Sequence, residues 1–126
     1  MRDILIVEDE LLVALDLEDI LTSGGFDVLG IVADRKGADS IQRAPVVALV
    51  DLNLRDGPTG NEVARALASQ FGTRIIFVTA NPAQITDPPA TAIGYVQKPF
   101  RPDVVVSAVE AAIAGNNPPK GVHKLN

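Results

Sequence analysis

The stretch Val46-Val47-Ala48-Leu49-Val50-Asp51 is five apolar residues ending on a carboxylate. An unbroken apolar run of this length suits a strand covered on both faces, as in a parallel sheet. Ile4-Leu5-Ile6-Val7 has the same character and ends on Glu8-Asp9. If the two runs are neighbouring parallel strands, three carboxylates crowd one edge of one sheet. At that spacing they repel, and desolvation at a strand end sharpens the repulsion, so the cluster needs a cation or a proton. A hard divalent ion with oxygen ligands meets that need. Two further runs end on other polar groups: Ile75-Ile76-Phe77-Val78 on the Thr79 hydroxyl, and Ile93-Gly94-Tyr95-Val96-Gln97 on the Lys98 ammonium, with Pro99 next.

The segments between these runs read as helices. From Glu10 to Ser23, Leu11, Leu12, Ala14, Leu15, Leu17, Ile20 and Leu21 recur at helical intervals, and Gly24-Gly25 stops the element. Phe26 to Val32 reads as a second strand, and Arg35 to Arg43 as a short helix with Ala38 and Ile41 inward, broken by Pro45. The turn-rich stretch from Asp51 to Gly60 leads into a helix over Asn61 to Phe71, followed by a strand over Arg74 to Val78. Pro82, Pro88 and Pro89 leave little room for the next helix, so a fourth helix is expected to be short or irregular. A last helix runs from Pro102 to Ala114, stopped by Gly115-Asn116-Asn117-Pro118-Pro119. The expectation is an α/β fold: a doubly wound five-stranded parallel sheet with right-handed crossovers and helices on both faces. Ligand sites in such folds lie beyond the carboxyl ends of the strands, where Glu8, Asp9, Asp51, Thr79 and Lys98 fall.

At 126 residues and 47% apolar content the chain fits one domain, expected over residues 1–115, with 116–126 a polar tail or linker stub. Lys plus Arg number 11 against 16 acids, a net charge of −5, with four Phe, one Tyr and no Trp. That balance argues against a direct nucleic-acid partner. The absence of cysteine excludes a disulfide framework and thiolate metal sites and fits a reducing compartment, so a cytoplasmic location is expected. No apolar run approaches the roughly 20 residues of a membrane span. His123, the single histidine, lies in the polar tail, where no role is expected.

The four motifs, Glu8-Asp9, Asp51-Leu52-Asn53, Thr79-Ala80 and Lys98-Pro99-Phe100, follow successive strands in order. Together they resemble the receiver domain of bacterial two-component response regulators, with its flavodoxin-like fold, over Asp3 to about Ala114. The resemblance implies a phosphorylation switch: Asp51 takes a phosphoryl group from a histidine kinase and the change is passed to a downstream protein partner. It implies Mg²⁺ held by Asp9, Asp51 and the Asn53 backbone carbonyl, with Glu8 direct or through water. Lys98 would pair with the phosphoryl group, and the Thr79 hydroxyl and Ala80 N–H would bond its oxygens. Tyr95 matches the family's switch aromatic, and the Lys98-Pro99 peptide would be cis.

Plainer roles stand beside these. Asp9 is also a favoured helix N-cap, Thr79 an ordinary turn hydroxyl, Lys98 a surface charge and Tyr95 a packing residue. A Mg²⁺-dependent phosphatase with an aspartyl-phosphate intermediate would use similar chemistry, although enzymes of that kind resemble a pattern with the nucleophile after strand one. A pseudo-receiver that binds partners without phosphorylation would not need the whole acid, hydroxyl and ammonium set. Val104, Val105 and Val106 cannot all face one core, which leaves a homodimer open.

Overall fold

The structure is a computed structural model that describes residues 3–125. The elements run β1 (Asp3–Val7), α1 (Leu11–Ser23), β2 (Asp27–Val32), α2 (Arg35–Asp39), β3 (Val47–Val50), α3 (Gly60–Phe71), β4 (Arg74–Thr79), a 3₁₀ turn (Pro82–Gln84), β5 (Ala92–Gln97) and α4 (Pro102–Ala114). The five strands form one sheet in the order β2-β1-β3-β4-β5, and every pairing is parallel. The chain therefore has a doubly wound, flavodoxin-like fold.

Period-two alternation divides the core between the faces of the sheet. Ile4, Ile6, Val47, Leu49, Ile76 and Val78 meet α1 and α4 on one side. Leu5, Val7, Ala48, Val50, Ile75 and Phe77 meet α2 and α3 on the other. β3 is apolar throughout because both faces are covered, and β1, apolar after Asp3, is likewise buried from end to end. Each such Val, Leu, Ile or Phe contributes roughly 1.5–3 kcal/mol by leaving water.

Four local outcomes bear on the sequence reading, three as departures and one, the proline-bound crossover, as expected. First, α1 buries Ala14, Leu17, Ile20 and Leu21, while Leu11, Leu12 and Leu15 are 66%, 82% and 45% exposed. The first set follows the 3-4-7 spacing of a single face, and leucine content beyond that face has no core to enter. Second, α2 stops at Asp39; its start is capped by Asp34, whose carboxylate accepts from Gly37 N–H. Ile41 still packs against the core beyond the helix.

Third, the crossover after β4 makes only the 3₁₀ turn, as the prolines require. Side chains of α3 hold it: Asn61 donates to the Gln84 carbonyl at 2.8 Å and accepts from Thr86 N–H at 3.0 Å, and Arg65 donates to the Thr86 carbonyl at 3.0 Å. Fourth, the segment after α4 does not extend away as a polar tail. It turns back along β5, where Tyr95 and His123 form an antiparallel bridge and Val122 enters the core. Val104 and Val106 also pack against the core that buries Val105, so all three valines are used within one chain. Gly121 lies against Val104, and Val106 against Gly24 after α1, covers that the helix pattern alone does not reveal.

One close approach of backbone to backbone sets the height of α3 above the sheet. A Cβ on Gly60 would lie 2.1 Å from the Asp51 carbonyl oxygen and 2.5 Å from Leu52 Cα, and Gly60 N–H donates to the Leu52 carbonyl at 3.0 Å. Gly60→Ala is expected to lower the unfolding free energy by about 2–3 kcal/mol, because both neighbours are main chain and must move. Gly30→Ala, with open space around its Cβ, is expected to change it by less than about 0.5 kcal/mol. Urea denaturation of the two variants checks the contrast.

Candidate functional site

The register brings the acids together. Val7 pairs with Val50, so Glu8 and Asp51 follow as neighbours one residue on, and one oxygen each of Glu8, Asp9 and Asp51 lie within 4.8 Å of one another. Glu8 is 2% exposed and Asp51 7%, while Asp9 is open to solvent. On the other side of β3, Thr79 pairs with Gln97, and Lys98 N–H then donates to the Thr79 carbonyl at 3.0 Å. The Lys98–Pro99 peptide that follows is cis.

Lys98 reaches across the sheet edge. Its ammonium donates to Glu8 Oε1 at 2.7 Å and to Asp51 Oδ2 at 3.1 Å. The remaining acceptors take backbone donors: Asp51 Oδ1 from Leu52 N–H at 2.8 Å, and Glu8 Oε2 from Glu10 N–H at 3.1 Å. Thr79 Oγ1 accepts from Asn81 N–H at 3.0 Å. A cleft of about 200 Å³ opens over this edge, lined by Asp9, Asp51, Asn53, Thr79, Ala80 and Lys98. A larger cleft of about 560 Å³ between α1 and α4 gathers no comparable set of groups.

Burial dominates the electrostatics of Glu8 and, with the charge of Asp51, pushes its carboxyl up to about 7 against the opposing hydrogen bonds from Lys98 and the Glu10 N–H. Burial also opposes the Lys98 ammonium, but the hydrogen bond to Glu8 and the charges of Asp51 and Glu8 outweigh it, and its pKa is raised. One cation thus serves two buried acids, with a third acid at the rim. Three hard carboxylate oxygens at this spacing suit a hard divalent ion such as Mg²⁺.

Of the residues singled out in the sequence, Glu8, Asp9, Asp51, Asn53, Thr79, Ala80 and Lys98 meet at this edge. Asn53 turns its side chain to Gln84, the two amides exchanging hydrogen bonds of 2.9 and 3.3 Å. Tyr95 lies apart from the cleft: its ring stacks on His123, centroids 4.7 Å apart and planes within 15°. Three contributors escaped the sequence reading. Gly60 carried a turn-former signal that does not show how closely it approaches Asp51. Gln84 carried none, and His123 sat in a segment without hydrophobic periodicity.

The family model for the response regulator receiver domain matches residues 4–110. The chain is 33% identical to the phyllosphere-induced regulator PhyR of Methylorubrum extorquens over 115 residues, 88% of this chain and 43% of that one. It is 30% identical to the DNA-binding response regulator MtrA of Mycobacterium tuberculosis, over 90% of this chain and 51% of that one. It spans about half the length of these curated relatives. Among solved structures, the receiver domain of Erythrobacter litoralis PhyR superposes with a TM-score of 0.82 at 33% identity, covering 96% of each chain. PhyR from Brucella abortus gives 0.74 at 31% identity, over 88% of this chain and 46% of that one. With the strand-end acids, the cis Lys98–Pro99 peptide and the sheet order all accounted for, the chain belongs to the response regulator receiver domain family of two-component signalling.

Proposed function

We propose that this receiver domain is a phosphorylation switch in which Asp51 accepts a phosphoryl group from a histidine kinase and signals to a protein partner. The single observation that carries this reading is the cleft in which the Asp51 carboxylate, the Lys98 ammonium and the Thr79 hydroxyl face one another. An Asp51 oxygen attacks phosphorus as the bond to the kinase imidazole nitrogen breaks, and the imidazole leaves with the electron pair. Asp51 Oδ1 is held by Leu52 N–H, and Oδ2 faces the lysine, so the nucleophile is oriented before the donor arrives. Lys98 then shifts from its carboxylate partners to the new phosphoryl oxygens, acting as a point charge. The Thr79 hydroxyl accepts from Asn81 N–H, which leaves its own proton to donate, and Ala80, exposed at the rim, offers its N–H.

Glu8, Asp9, Asp51 and the Asn53 backbone carbonyl would hold Mg²⁺, which when bound neutralises charge on the transferring oxygens. The site works as a receiver and not as a turnover enzyme: its product stays attached as the signal. Tyr95, three residues before Lys98 on β5, is proposed to report the change along that strand. The Bartonella quintana relative is described as an anti-anti-sigma factor, a description that supports a protein contact as the output proposed here. A cytoplasmic location is proposed as part of that reading, since the kinase that donates the phosphoryl group would meet the switch there.

Two measurements test the proposal. Incubation with acetyl phosphate and Mg²⁺ is expected to give one phosphoryl adduct by mass, absent without Mg²⁺ and absent in Asp51→Asn, with Lys98→Ala slowing its formation by at least about tenfold. No adduct under any condition would leave a phosphorylation-independent interaction module.

The second measurement is pH-dependent stability in EDTA. The Glu8 carboxyl sits at about 7 in the fold against an ordinary value of 4.5. Between those values the unfolded chain gives up the proton and the folded chain keeps it, so folding loses stability as pH rises from 4.5 to 7, and the loss is complete above 7. Glu8→Gln is therefore expected to be the more stable protein at pH 7.5 by about 2 kcal/mol, the gap closing by pH 4.5. Urea midpoints across that range check it.

A further inference from the structure

The proposed switch uses only the main chain of Asn53, and the Asn53 side chain is committed elsewhere. Its Nδ2 donates to Gln84 Oε1 at 2.9 Å, and Gln84 Nε2 donates back to Asn53 Oδ1 at 3.3 Å. Within the phosphorylation cleft Asp51 and Thr79 are buried, whereas Asn53, Ala80 and Asn81 are exposed and form the mouth. Asn53, two residues past Asp51, makes one lip of that mouth, and Ala80 and Asn81, which follow β4, make another. Gln84 is tied to the second lip, its N–H donating to the Asn81 carbonyl at 3.1 Å. The two amides therefore form a strap from lip to lip.

Main chain holds both ends of the strap. At one end Asn61 of α3 donates to the Gln84 carbonyl at 2.8 Å and accepts from Thr86 N–H at 3.0 Å. At the other, Leu54 is buried and exchanges hydrogen bonds with Gly57, Leu54 N–H to the Gly57 carbonyl at 2.9 Å and Gly57 N–H to the Leu54 carbonyl at 3.1 Å. Side chains that start from fixed backbones lose less freedom on pairing, so the pair holds at an exposed position. In solvent it contributes little to stability. Its consequence comes from where it lies.

We infer that Gln84 is a positioning residue for the lifetime of the phosphoryl group: it holds the Asn53 amide across the mouth of the cleft and so restricts the approach of hydrolytic water to phosphoaspartate. This role rests on the proposed switch, with Asp51 as the phosphoryl acceptor. In hydrolysis the water oxygen bonds to phosphorus as the bond from phosphorus to the Asp51 oxygen breaks. The carboxylate leaves with the electron pair, and the proton that water loses passes to solvent, giving inorganic phosphate. Attack and departure lie roughly in line, and Asp51 is only 7% exposed at the floor of the cleft, so the water enters by the mouth. A strapped mouth admits it less often. The Asn53 amide, engaged with Gln84, also has fewer groups free to orient that water.

The full chain is charged with acetyl phosphate and Mg²⁺, the donor is removed on a desalting column, and loss of the phosphoryl mass is followed in time. Gln84→Ala is expected to shorten the half-life at least about threefold, the scale of one exposed hydrogen-bonded pair. Gln84→Met keeps the length and bulk of the side chain without its donor or acceptor and should match Gln84→Ala; a wild-type half-life in Gln84→Met would show that Gln84 only fills space. Asn53→Ala should shorten the half-life similarly and the double variant no further, because all lack the same strap. An unchanged half-life in Gln84→Ala, or effects of the two alanine variants that add independently, would overturn the inference while the phosphorylation reading stood. Failure of the wild type to form any adduct would sink that reading and this one with it. In the unphosphorylated protein Gln84→Ala should shift the Asn53 side-chain amide resonances and leave the Mg²⁺ affinity, read by titration of backbone amide shifts, within about twofold of wild type. A fall in that affinity matching the lost lifetime would assign the effect to how the Asn53 carbonyl holds the metal, and would also overturn the inference.

Discussion

The Lys98 ammonium, set between Glu8 and Asp51 at 2.7 and 3.1 Å, is the contact on which the pocket depends. Both carboxylates are almost wholly buried, and an unpaired buried charge costs several kcal/mol. The lysine lies 90 residues from Glu8 and 47 from Asp51 in sequence, so the contact forms only when β1, β3, β4 and β5 are all in register. It is nonetheless an incomplete neutralisation. One cation faces two buried acids with a third at the rim, and burial above all, with the charge of Asp51 added, pushes the Glu8 carboxyl up to about 7. The same imbalance makes the edge receptive to a divalent cation. It also gives Lys98 two carboxylate partners at once, so that in the proposed switch the ammonium could turn to phosphoryl oxygens without crossing the sheet.

The pocket and the opposite side of β5 are linked by economy of construction. The prolines of the crossover prevent a full helix there, and Asn61 and Arg65 of α3 hold the resulting turn by its carbonyls and amides. Gln84 in that turn meets Asn53 at the cleft. The face that a longer helix would shield is instead shared by Ile85, Tyr95 and Leu125, the last contributed by the segment returning from α4. One strand, β5, therefore carries Lys98 just past its carboxyl end and an occupied edge at its middle. Any change that moves the strand is felt at both.

The amino-acid order alone determined the layered architecture, since continuous apolar runs, helical spacing and terminal acids are local signals set by the two periods of backbone geometry. It also determined where chemistry would collect, because in parallel sheets polar residues after apolar runs converge at the carboxyl ends. Asp51, Thr79 and Lys98 were legible for that reason, and the irregular crossover was legible from three prolines. Tertiary structure alone decided the rest. Leu11, Leu12 and Leu15 are chemically equal to Leu17 and Leu21, and only the placement of the sheet leaves them in water. Gly60 reads as a turn former until Asp51 is found 2.1 Å from its absent Cβ. His123 has no pattern to mark it, because one bridge and one ring contact are set by the path of the chain after α4. Local periodicity is a property of neighbours in sequence; partner choice across tens of residues is a property of the closed fold.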